Sequence, residues 1–86
     1  MKKIAAAMQA GKAISDPEVQ KLMDQSRAFI SQFYDCSTQM FRNLADMYIQ
    51  DPRFTATYEK YAKGMAQYVR DAIHYYCDQA EGEGKL

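Results

Sequence analysis

The chain has 86 residues, with 11 basic and 11 acidic side chains, so it has room for one small domain and carries no surplus positive charge to meet phosphates. A hydrophobic content of 48% and a charged content of 26% suit a globular fold and argue against disorder. A domain of this size buries only about 60–65% of its unfolded surface, so modest stability is expected.

The pattern is helical throughout, with no sustained strand alternation and no Asn-Gly or Asp-Gly hairpin signal. Residues 2–10 are alanine-rich and predict a short helix, ended by Gly11 as a C-cap. Ser15-Asp16-Pro17-Glu18 is a helix start: Ser15 or Asp16 can cap, Pro17 suits the first turn, and Glu18 stands where a capping box would place it. The apolar stripe that follows runs through Val19, Leu22, Met23, Phe29, Ile30 and Phe33, with Ser26 filling the same line.

Asp35, Ser37 and Thr38 offer capping oxygens, which places a break near residues 34–37. The next helix is expected to bury Met40, Phe41, Leu44, Met47 and Tyr48. Asp51-Pro52 then restarts the chain into a short helix reaching about Tyr61. Gly64 weakens or bends that segment, and the last helix carries Met65, Val69, Ala72, Ile73, Tyr76 and Cys77 on one face. Beside that face Tyr61, Tyr68 and Tyr75 recur every seven residues. Residues 82–86 read as a frayed tail, and no internal repeat is visible.

The tyrosine row leaves two readings open. It marks either a helix that lines a cavity or an amphipathic helix with boundary tyrosines. Six methionines in so short a chain suit a surface that re-packs around ligands, and equally a plain core. Cys36, at a helix start, is either a reactive thiol or a small buried hydrophobe, and the second reading is favoured.

Chemistry finds little purchase, and the chain is not read as an enzyme. His74 is the only histidine, a pairing with Cys77 near the chain end makes a poor nucleophile site, and no ligand cluster has metal spacing. No cofactor is expected; with His74 as the sole candidate axial ligand, a haem site is disfavoured. The start MKKIAAAMQAG is too short for a signal peptide, and no run approaches a membrane span. A cytoplasmic protein with reduced thiols is expected, binding neither nucleic acid nor membrane by itself.

The run from Tyr34 to Ile73, YDCSTQMFRNLADMYIQDPRFTATYEKYAKGMAQYVRDAI, resembles the TipAS-type antibiotic-recognition domain of MerR-like transcriptional activators. Its sharpest parts are YDC, LADMYIQDPRFT and GMAQYVRDAI, and the likeness extends from about Met8 to Ile73. The resemblance implies an all-α, globin-like domain over 1–86 of about four to five helices. It also implies a cleft for bulky antibiotics such as thiopeptides and a mobile segment over 1–14 that closes on bound drug. The chain holds no DNA-binding domain or coiled coil, so it resembles a stand-alone effector domain or a piece of a longer protein. Where the covalent thiopeptide binder of the family has a cysteine, seven residues after the YDC cysteine, this chain has Asn43. Reversible binding is therefore expected.

On this reading Cys36, Asn43 and Met47 border the cleft along one helix side, with Phe33, Tyr34 and Met40 beside them. Tyr58, Met65, Tyr68 and Tyr75 stand across it. The alternative is a helical interaction module, a homodimer among its forms, whose wide apolar face pairs with another chain.

Overall fold

The structure, a computed structural model, describes residues 2–33, 35 and 37–82. They form five helices and, among the described residues, no strand: α1 (Lys2–Gln9), α2 (Pro17–Ser31), α3 (Thr38–Gln50), α4 (Pro52–Glu59) and α5 (Met65–Gly82).

The boundaries follow local chemistry. Gly11 takes φ +80° after α1, with its N–H on the Met8 carbonyl at 3.0 Å and the Lys12 N–H on the Ala7 carbonyl at 3.1 Å. That pair is a Schellman ending, and it needs a residue without a Cβ penalty at positive φ. Asp16, not Ser15, caps α2: its carboxylate accepts from the Glu18 N–H at 2.9 Å, with Pro17 in the first turn. Glu18 makes an ion pair with Lys12. Ser37 caps α3 by accepting from the Met40 N–H at 3.2 Å. Asp51 closes α3 with its own N–H on the Met47 carbonyl, then opens α4 by accepting from the Arg53 N–H at 2.9 Å. One residue thus satisfies orphan groups of two helices. Gly64, at φ +84°, stands just before α5 rather than within a helix. Glu59 reaches across that turn and accepts from the Gly64 and Ala66 N–H groups at 2.8 and 3.1 Å.

Helix α5 is the axis of the core. It packs against each of the other four and shares its longest interface with α3. Met65, Ala66, Val69, Ala72, Ile73 and Cys77 are buried on it. They meet Val19 and Met23 from α2, Phe41 and Ala45 from α3, and Ile4, Ala5 and Ala7 from α1. Phe41 lies edge-on to Tyr76 with ring centroids 5.8 Å apart. Thr38 and Ala45 take the inward places on α3, and small residues there let α3 lie close on α5. Two polar ties hold the layers in register. The Gln20 amide donates to the carbonyls of Ile14 and Ala72 at 2.6 and 3.2 Å, and the Tyr76 hydroxyl donates to Asp24 at 2.6 Å.

Several expected core or row positions fall elsewhere, and on α3 Met40 and Leu44 are only half-buried. Phe29 and Phe33, at 61% and 69% exposure, stand outside the core: in the last turn of α2 it is Ile30 that packs inward, and Phe33 lies past the helix end at Ser31. Met47 is 42% exposed, because two residues past Ala45 it lies on the side of α3 turned away from the buried Thr38, Phe41 and Ala45. Tyr61 lies in the turn before α5, so the tyrosines at 61, 68 and 75 do not share one helix face. Tyr34 and Cys36 lie outside the described residues.

Candidate functional site

A groove of about 720 Å³ opens between α1, α2 and the facing aromatics of α3 and α4. Helix α1 contributes Lys3 and Ile4; α2 contributes Leu22, Gln25, Ser26, Phe29 and Ile30; Tyr48 and Tyr58 complete the wall. A smaller void of about 80 Å³ shares Ile4, Ser26, Ile30, Tyr48 and Tyr58 with the groove. It adds Met23, Phe41, Val69 and Ile73, and so leads toward the core. The groove's volume lies within the range of sites for drug-sized molecules, roughly 300–1,000 Å³.

The walls are positioned by ordinary packing. Tyr48 sits edge-on to Tyr58 at 5.0 Å and tilted against Phe54 at 5.8 Å, so three rings from α3 and α4 form a stack of inclined planes. Thr55 fixes the end of α3 by donating its hydroxyl to the Tyr48 carbonyl at 2.7 Å. Burial, and then the neighbouring Tyr48, push the Tyr58 phenol pKa well above its ordinary value, so it stays neutral. The Ser26 hydroxyl donates to the Leu22 carbonyl at 3.0 Å, within its own helix. A small residue in the apolar stripe of α2 therefore leaves volume where a larger one would have filled the gap. The mouth carries Phe29, edge-on to Phe33 at 5.5 Å.

Of the eight described residues among the ten expected to bind ligand, Tyr58 alone lines this groove, and Phe33 stands beside it through Phe29. Asn43 is exposed, its carbonyl accepting from the Gln39 amide at 3.1 Å, and Met47 is exposed on the same helix. Met40 is half-buried and Met65 fully buried. Tyr68 is half-buried and donates its hydroxyl to the Lys12 carbonyl at 2.8 Å. Tyr75 lines a separate hollow of about 350 Å³ with Gln20, Asp24, Arg27 and Tyr76. Tyr34 and Cys36 lie outside the described residues. Leu22, Ile30 and Tyr48, which periodicity places in the core, are half-buried groove walls. Ser26 in that stripe was the available signal.

The polar residues between α3 and α5 form a tie rather than a reactive site. His74 meets Asp46 at 2.8 Å through Nε2 and Arg42 at 3.2 Å through Nδ1. Arg42 also pairs with Asp78 and Glu81, and Arg70 bridges Asp46 and Asp71. Hydrogen bonds to Asp78 and Glu81 raise the Arg42 pKa, and the bond to His74 lowers that of Asp46. Cys77 is buried with its thiol on the Thr38 carbonyl at 3.5 Å, and desolvation lifts its pKa to about 11. It is no nucleophile for His74. Among the described residues no group of three metal-ligating side chains converges, and no helix is long and apolar enough to cross a membrane.

No solved structure matches the chain significantly. The HTH-type transcriptional activator mta of Bacillus subtilis is 41% identical over 81 residues, covering 93% of this chain and 31% of its own length. The HTH-type transcriptional activator TipA of Streptomyces coelicolor is 34% identical over 73 residues, 84% of this chain and 29% of that protein. The TipA of Streptomyces lividans matches to the same extent. The chain thus spans less than a third of the curated relatives it matches. The profile of the TipAS antibiotic-recognition domain matches residues 1–76, and the chain belongs to that family.

Proposed function

We propose that this domain reversibly binds bulky, mostly apolar small molecules, antibiotics such as thiopeptides among them, in the groove between α1 and α2. In a longer protein it would act as the drug-sensing effector part of a MerR-like regulator, without enzymatic activity. The observation that carries the reading is the 720 Å³ groove walled by Ile4, Leu22, Ile30, Tyr48 and Tyr58, open to solvent at Phe29, in a chain of this family. Apolar walls with a few neutral polar groups are what a ligand of this kind requires. Helix α1 forms one wall, so closure of the segment over residues 1–14 on a ligand would complete the site.

Thermal unfolding against a panel of thiopeptides and other bulky antibiotics tests this. At ten times Kd, linkage adds about 1.4 kcal/mol, which in a domain of this size raises Tm by about 6–11 °C. The shift should weaken in Phe29→Ala and persist in Asn43→Ala. Equal responses in both variants would move the site away from the groove.

The exposure of Phe29 and Phe33 also favours pairing with a second copy at that edge. Sedimentation across a range of concentrations separates the two, since a strict monomer that still binds ligand leaves no place for the pairing.

A further inference from the structure

We propose that Lys3 makes the groove selective for ligands that carry an anionic group, such as a carboxylate, sulfonate or phenolate on an aromatic body. The inference rests on the binding function just proposed and names the ligand's charge. Lys3 is the only charged side chain among the described residues that line the groove; the other polar walls, Gln25, Ser26, Tyr48 and Tyr58, are neutral. No carboxylate stands among the described lining residues of the groove. The same lysine lines an adjoining hollow of about 390 Å³ with Ala6, Ala7, Ala10, Leu22, Lys12 and Glu18. In that hollow Glu18 is already paired with Lys12, so it does not compensate Lys3. The Ser26 hydroxyl proton is spent on the Leu22 carbonyl, and Tyr58 keeps its proton through burial.

The space therefore offers an apolar slot with one positive charge at its α1 edge that no described lining residue compensates. An anion seated with its rings against Tyr48 and Ile30 brings its charge toward that ammonium. A cation of the same shape is repelled and finds no carboxylate in exchange.

Two fluorescent probes that differ by one sulfonate read this directly: 8-anilinonaphthalene-1-sulfonate and the uncharged N-phenyl-1-naphthylamine. In Lys3→Gln the sulfonate probe should lose about two- to fivefold in affinity, the range of an exposed ion pair, while the neutral probe is unchanged. Lys3→Glu should widen the gap further, and high salt should narrow it. Lys63→Gln, an exposed lysine in the turn before α5 that lines neither hollow, should alter neither. Circular dichroism confirms that the variants stay folded. Equal changes for both probes, or no change in the sulfonate probe, would overturn the role of Lys3 while leaving the groove intact. Failure of both probes to bind the unaltered domain would overturn the groove reading itself, and the charge inference with it.

Discussion

Replacing Ser26 by leucine should stabilise the domain and abolish ligand binding together. Ser26 lies on the floor of the groove and borders the 80 Å³ void beneath it. Among the described residues its hydroxyl bonds to the Leu22 carbonyl of its own helix, so the substitution strands no distant described partner. Leucine adds three carbons in place of one oxygen. At about 0.8 kcal/mol for each fully buried CH₂, half-burial gives roughly 1 kcal/mol, and leucine's better helix propensity adds a few tenths. Overpacking costs about 1–3 kcal/mol in a filled core, but here the new atoms enter open space. The expected outcome is a Tm higher by about 5–11 °C, read by circular dichroism. Loss of N-phenyl-1-naphthylamine fluorescence enhancement should accompany it. A lower Tm with binding retained would refute the reasoning, because it would mean that the space at Ser26 is not there.

Three other outcomes follow from the turns and the core. Gly11→Ala and Gly64→Ala should each cost about 1–2 kcal/mol, measured by urea unfolding, because both sit at positive φ. An added Cβ meets nothing at Gly11 and only an ordinary 3.6 Å contact with Met8 at Gly64, so the two losses should be similar. The Glu59 carboxyl is held below its ordinary value of 4.5 by the backbone N–H groups of Gly64 and Ala66. Its contribution is therefore complete above pH 4.5 and disappears as pH falls through the lower folded value. Glu59→Gln should lower Tm at neutral pH and flatten the acid limb of the Tm–pH curve. Cys77, with its pKa lifted to about 11, should resist Ellman's reagent at pH 8 in a Cys36→Ser background and react only on unfolding.

Helix boundaries were legible because single residues mark them: Gly11, Asp16-Pro17, Ser37 and Asp51-Pro52 all stand at the ends that their chemistry predicts. The existence of all five helices follows from those marks and from the apolar period between them. Which face turns inward was less legible. Periodicity ranks Phe29, Phe33 and Met47 as core because they are large and in phase. The actual inward places on α3 belong to Thr38, Phe41 and Ala45; of these periodicity names Phe41, and the choice of Thr38 and Ala45 is made by how near α5 lies. No single helix contains that information. The family resemblance named a cleft, but residues 33–47 drew attention to the α3 surface. The groove instead joins residues 3, 26, 48 and 58 from four helices. Its trace in the sequence was a serine inside an apolar stripe, facing an alanine-rich helix.

The central claim is that ligands enter the groove between α1 and α2. It is tested most directly by a ¹H–¹⁵N correlation titration of the domain with N-phenyl-1-naphthylamine. The account predicts that shift changes concentrate at Ile4, Leu22, Ser26, Ile30, Tyr48 and Tyr58, leaving Asn43 and Met47 still. Changes centred on Asn43 and Met47, with the α1 and α2 signals unmoved, would contradict it.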